Sequence, residues 1–209
     1  MYKSYILIAS ILLLAACGQK KLPILGNRAL NIKMVDGHQA VDTVYQTVPD
    51  FSFVNQDGKT ITQAVVKDKI YVADFFFVSC PTICPRMKKN LLTVYNKYKS
   101  NNELLFLSHT IDPEHDSVAV LHDFAKRLGA DSKQWHFLTG NREKIYELAE
   151  QGYYATAMAD STEPGGYVHS GGLILVDKQR RVRGIYDGTS APDTERLIED
   201  IEILLHEKE

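Results

Sequence analysis

Apolar side chains along this chain fall into two rhythms, short unbroken runs and stripes with a period near 3.6, and the two alternate. Ile70–Val78 is apolar except for Asp74, and Leu104–Leu107 and Leu173–Val176 are unbroken. Runs of this kind suit strands buried on both faces of a parallel sheet. Between them, Met87, Leu91, Val94, Tyr95 and Tyr98 mark one face of a helix from about Pro85 to Lys99. Val118, Leu121, Phe124 and Leu128 mark a second, capped by Asp116 or Ser117 and closed by Gly129. A helix from about Arg142 to Gln151, stopped by Gly152, and a last one from about Asp193 to His206 complete the set. Weaker signals add a hairpin around Val48–Phe53 with its turn at Asn55–Lys59, a strand near His136–Leu138 and another at Val182–Tyr186. Alternating β and α units predict an α/β domain. Tyr153–Val168 has no period and reads as a long loop ending at His169.

The first residues follow other rules. Lys3 precedes Ile6–Leu14, apolar except for Ser10, and the run ends in Leu14-Ala15-Ala16-Cys17. The stretch is short for a bilayer span and ends in small residues, as a signal peptide over residues 1–16 should. Its ending resembles a bacterial lipobox, in which the cysteine becomes a lipid-modified first residue. A plain signal peptide with an incidental cysteine and an uncleaved anchor are the alternatives. The expected organisation is a signal peptide (1–16), a lipid-anchored tether (17–43) with a strand around Ala29–Met34, and a folded domain (44–209). Lipid on Cys17 would hold the domain at a bacterial membrane, facing the periplasm. The composition of the 209-residue chain is that of an ordinary globular protein, and its net charge of −2 without any long basic block argues against nucleic acid.

With Cys17 assigned to lipid, two of the three cysteines remain, Cys80 and Cys84 in Ser79-Cys80-Pro81-Thr82-Ile83-Cys84-Pro85. They lie where a strand turns into a helix, and a helix start favours ionised thiols. A disulfide closing so short a loop stabilises little, so redox or metal chemistry is the better use of the pair. Of the seven histidines, His38, His122 and His206 occupy polar or helix-surface contexts, and His136 beside Trp135 reads as a strand residue. His109 and His115 flank the Asp112 loop, which follows a neighbouring strand. His169 is flanked by glycines just before a strand. If that strand lies antiparallel to Ile70–Val78, its start meets the end that carries the cysteines. From the residues alone, a metal ligand and a structural imidazole are equally open at His169.

Together, Phe75-Phe76-Phe77-Val78-Ser79-Cys80-Pro81-Thr82-Ile83-Cys84-Pro85, Thr110-Ile111-Asp112-Pro113-Glu114-His115-Asp116 and His169-Ser170 before Leu173–Asp177 resemble the SCO/SenC family. These are copper-handling proteins of cytochrome c oxidase assembly. The resemblance runs from about Val48 to Leu205 and implies a thioredoxin-like fold, with an N-terminal hairpin extension and a long loop bearing the ligand histidine. It implies copper as the metal, Cys80, Cys84 and His169 as its ligands, and the oxidase subunit carrying the copper site as partner. An upstream copper donor or a thiol reductant would be a further partner. Thr82 stands where many relatives carry Asp. Zinc also accepts such a donor set, but softness and intrinsic affinity favour copper. The competing reading is a thiol–disulfide oxidoreductase, Cys80 attacking and Cys84 resolving. Against it, three residues rather than two separate the cysteines, and no proline precedes the strand after His169. A copper or redox sensor is a third reading.

Overall fold

The strand-to-helix alternation read from the sequence builds one seven-stranded sheet. The computed structural model describes residues 21–160, 162, 166–169 and 171–207. The expected signal peptide and Cys17 lie outside the described residues. In chain order the elements are β1 (Arg28–Val35), β2 (His38–Tyr45), β3 (Ser52–Asn55), β4 (Thr60–Thr62), β5 (Ile70–Phe76), α1 (Cys84–Lys97), β6 (Leu104–Thr110) and α2 (Val118–Leu128). They continue with β7 (Trp135–Thr139), α3 (Arg142–Tyr153), β8 (Ala157–Ala159), β9 (Tyr167–His169), β10 (Gly172–Val176), β11 (Val182–Asp187) and α4 (Ala191–His206). The large sheet has the order β11-β10-β5-β6-β7-β3-β4. Its centre, β5-β6-β7, is parallel, and β10 joins β5 antiparallel, as the placement of His169 required.

Every residue of β5, β6, β7 and β10 is buried, which is why β5, β10 and the first half of β6 read as apolar runs, while His136 and Thr139 weakened the signal of β7. Phe76 of β5 stacks on Phe124 of α2, on the face where Lys88 of α1 meets Asp74. Phe75, one residue earlier, points to the other face, against Tyr153 of α3. Helices thus cover both faces, and β5-α1-β6 followed by the β10-β11-α4 unit gives a thioredoxin-like fold.

Helix limits follow local chemistry. Ser117 and Asn141 accept N–H groups from the first turns of α2 and α3, and Gly129 closes α2 at φ 68°. Asp116 is therefore not the cap; it is buried in another role. Gly152 does not stop α3. It lies inside the helix, where an added Cβ would come 3.0 Å from Pro49, and Tyr154 takes the left-handed closing position instead. The long loop also holds structure, since β8 and β9 pair as a small antiparallel sheet.

The described part of the expected tether is no loose spacer. Leu22 is buried, its carbonyl accepts Arg183 Nη2 at 2.6 Å, and the Leu25 N–H donates to the Val182 carbonyl at 2.8 Å. The strand expected around Ala29–Met34 is the first arm of a hairpin, β1 paired with β2.

Candidate functional site

Where β5 ends, the chain must leave the sheet and enter α1, and the cysteines occupy that turn. The Cys80 N–H donates to the Phe77 carbonyl at 3.3 Å, and Cys84 is the first residue of α1. No side chain of the N-cap residue, Ile83, satisfies the helix start, and Pro85 sits in the first turn. The Cys80 sulfur takes that part, receiving the Thr82 and Cys84 amides, and the two thiols hydrogen-bond each other.

Both cysteines are buried, at 7% and 4% exposure, yet their acidities diverge. Burial acts to raise the Cys80 thiol, but hydrogen bonds from the Thr82 and Cys84 amides and from the Cys84 and Thr82 side chains outweigh it and lower its pKa. The Thr82 hydroxyl lies 3.7 Å from the sulfur. Burial pushes the Cys84 thiol well up, and the neighbouring Cys80 adds to the effect, while the Phe77 backbone and Lys88 charge oppose it. The expectation of two easily ionised thiols therefore holds for Cys80 alone. Helix-start amides reach its sulfur, whereas Cys84 is turned into the core. Beside both sulfurs opens an apolar groove of about 300 Å³, walled by Phe77, Val78, Leu92, Phe124 and Leu128.

His169 belongs by its backbone to β9, with Ala157 as its register partner; its imidazole lies outside what is described. The chain is nevertheless fixed on either side of it. Two residues earlier, Tyr167 packs its ring 5.1 Å from that of Phe77 and donates its hydroxyl to Asp112 Oδ1 at 2.8 Å. Two residues later, Gly171 has φ 61°, and a Cβ there would sit 3.1 Å from Ile83 Cδ1, between the two cysteines in sequence. Both brackets of His169 touch the cysteine turn.

Gly171→Ala is therefore expected to cost about 1–2 kcal/mol, from the left-handed backbone and the displaced Ile83. Urea denaturation beside Gly58→Ala, which has φ 73° but open space, separates the two causes. Equal losses would remove the steric one.

The other histidines do not gather here. His115 is exposed and pairs with Asp112, which raises its pKa. His109 is fully buried in the ring cluster of Phe51, Phe53, Phe75 and Tyr153, with no partner for either nitrogen among the described residues. His136 is a buried strand residue near Asn55, and His38, His122 and His206 are exposed. Among the described residues no group of three His, Cys, Asp or Glu side chains forms a metal cluster.

Two supports were not read from the sequence. Asp116 accepts the Val78 N–H at 3.1 Å and the Thr110 hydroxyl, tying the Asp112 loop to the cysteine strand. Lys88, one helical turn beyond Cys84, is buried against Asp74. Asp74 alone breaking an apolar run, with a lysine four residues after a site cysteine, is the signal that could have found it.

A family model described as SCO1/SenC matches residues 39–206. A SCO1 protein homolog of Bacillus subtilis (strain 168) is 30% identical over 167 residues, which are 79% of this chain and 86% of that one. The crystal structure of a SCO1/SenC family lipoprotein from Bacillus anthracis superposes with TM-score 0.70 at 29% identity, covering 77% of this chain and 95% of that one. Arabidopsis thaliana ScoI, crystallised with copper bound, shares the fold at TM-score 0.62 and 24% identity, covering 75% and 99%.

Proposed function

The chain belongs to the SCO1/SenC family, and we propose that it is a membrane-tethered copper chaperone. It takes copper on Cys80, Cys84 and His169 and hands it to the copper site of a respiratory cytochrome c oxidase. Proteins of this family handle copper and act in cytochrome c oxidase assembly. The observation that carries the reading is the double bracket around His169 in sequence: Tyr167 packs on Phe77, and a Cβ at Gly171 would sit 3.1 Å from Ile83 Cδ1.

Two thiolates and an imidazole are soft to borderline donors that suit Cu(I), with an open position for exchange. The residues divide the work. Cys80 is held toward its thiolate by the Thr82 and Cys84 amides, so it offers the first donor. Cys84, protonated in the core, must give up its proton as it binds, which makes uptake pH-dependent. Lys88, close enough to act on Cys84 by charge, favours that loss. Delivery is a ligand exchange in which a thiol or imidazole of the oxidase subunit enters as these donors leave in turn. No general base is required.

The anchor is part of the same reading. Lipid on Cys17 would hold the domain at a bacterial membrane, facing the periplasm. The Bacillus anthracis lipoprotein supports it, and no described helix is long and apolar enough to cross a membrane.

A Cu(I) titration of the reduced protein against a chromophoric chelator tests the metal site. Wild type should bind one equivalent, and His169→Ala should bind about 100-fold more weakly, the upper end of losses for altered outer-shell partners. No uptake by wild type with both thiols shown reduced, or unchanged affinity in the variant, would sink the reading.

One observation favours a second reading, thiol–disulfide exchange. The lowered pKa of Cys80 and raised pKa of Cys84 suit an attacking and a resolving thiol. The Cys80 thiolate would open a target disulfide to a mixed disulfide, and Cys84 would then displace the second target thiol, leaving Cys80 and Cys84 oxidised. His169→Ala should leave that exchange rate intact while copper binding falls.

A further inference from the structure

Among the described residues, the β1–β2 hairpin carries most of the large apolar side chains that have no cover. Of nine large apolar side chains exposed among the described residues, six are on it: Leu30, Ile32, Met34, Val35, Val41 and Val44. The register sets Leu30 opposite Thr43, Ile32 opposite Val41 and Met34 opposite Gln39. Alternation then gathers Leu30, Ile32, Met34 and Val41 on one face, at 60–68% exposure, and turns Asn31, Lys33 and Asp42 to the other, which carries only Val35 and Val44, at its two ends, as large apolar side chains. Asp36 and Gly37, both at positive φ, make the tight turn at the tip. A lone two-stranded sheet is marginal in water, and both faces of this one are open. Among the described residues no element covers its apolar face.

The feet of the hairpin say where it lies. Before it, the Leu22 and Pro23 carbonyls accept the Arg183 guanidinium and the Leu25 N–H meets Val182; after it, the Val48 N–H donates to the Arg180 carbonyl at 2.8 Å. Four residues separate Cys17 from the docked Leu22, and the five steps between them reach at most about 17 Å. Whether the chain is held by lipid on Cys17 or by the apolar Ile6–Leu14 segment itself, the hairpin starts close to the membrane surface. Arg28 and Tyr45, paired at the foot on the apolar side, are residue types that settle at headgroup level. The family match begins at residue 39, so β1 lies outside it.

We propose that the apolar face of this hairpin rests in the lipid interface and orients the domain on the membrane. The inference rests on the membrane tethering in the proposed function. It also sets which end of the sheet faces outward. The feet bind at residues 180–182, beside the pair Val176–Tyr71 near the start of β5, whereas the cysteines follow its finish at Phe76. The cysteine turn thus stands about 20 Å further from the bilayer, the length of a seven-residue strand. It would meet its partner's copper site above the lipid.

The test is the full chain, produced with its native leader and reconstituted in phosphatidylcholine–phosphatidylglycerol vesicles with and without brominated acyl chains. Ile32→Trp should lose about half its added fluorescence to the bromines, as a side chain in the outer acyl region does. Asn31→Trp, on the opposite face, should lose little, and Trp135 is buried as an internal reference. Vesicles that carry the protein while Ile32→Trp is unquenched overturn the hairpin inference and leave the tether standing. Protein that does not sediment with vesicles overturns both. A doubled mass in detergent, with position 32 cross-linking between copies, overturns it in favour of self-association.

Discussion

Lys88→Met is expected to destabilise the fold by about 3–5 kcal/mol, far more than the loss of one lysine usually costs. The Lys88 ammonium is 3% exposed and lies 2.6 Å from Asp74 Oδ2 and 2.8 Å from Ser108 Oγ. The Ser108 hydroxyl donates in turn to Asp74 and accepts the Trp135 indole N–H at 2.9 Å. Strand register makes this possible, since Asp74 and Ser108 are direct neighbours across β5 and β6. Phe76 lies under the charge, 3.9 Å from Nζ to its ring centroid. Burial pulls the lysine pKa down and the Asp74 charge works against it. Methionine would fill much of the volume but leave a carboxylate with no exposure and no countercharge. Asp74→Asn should cost a comparable amount by stranding the ammonium. Replacing both, as Lys88→Met with Asp74→Leu, should recover most of the loss, because a well-packed apolar pair avoids both desolvation costs. Urea denaturation of the three variants checks this; single variants within about 1 kcal/mol of wild type would mean that water reaches the pair.

Much of this architecture was legible because burial on both faces leaves a plain trace. β5, β6 and β10 appear as apolar runs, and the antiparallel pairing of β10 with β5, only a condition in the sequence reading, is what the structure shows. Ser117 and Gly129 act at the ends of α2 as their chemistry dictates. What the sequence hid depends on neighbours distant in the chain. Lys88 reads as a surface residue until Asp74 is known to lie beneath it. Tyr154 closes α3 in place of Gly152 because Gly152 is pressed against Val48 and Pro49. The hairpin was half seen, as one strand, because it carries no burial pattern. At the site, the cysteine turn was readable from strand, turn and helix in sequence, and His169 stood out by its glycine neighbours. The unequal acidity of the thiols was not readable, since it comes from how deeply each sulfur is set.

His109 supplies the other large effect. Its ring lies fully buried, stacked on Phe75 at 5.2 Å between centroids, and neither nitrogen is hydrogen-bonded among the described residues. Burial first, and the Lys88 charge second, push its pKa down to about 3. The folded protein therefore keeps the ring neutral, while the unfolded chain protonates it below about pH 6.5. The stability tied to this ring is complete above that pH and is lost as pH falls from about 6.5 toward 3. In full it amounts to about 5 kcal/mol, with about 2 kcal/mol gone by pH 5. His109→Phe removes both the titration and two unsatisfied nitrogens, and the surrounding rings of Phe51, Phe53 and Tyr153 suit an aromatic replacement. The variant should gain about 1–3 kcal/mol at pH 7 and should outlast wild type by a wider margin at pH 5. Asp116, whose pKa burial raises, titrates in both proteins, so the difference between them isolates the ring. Equal denaturation midpoints at pH 5, with the variant folded, would show that the imidazole finds a partner or a path to solvent, and the buried-base account would fail.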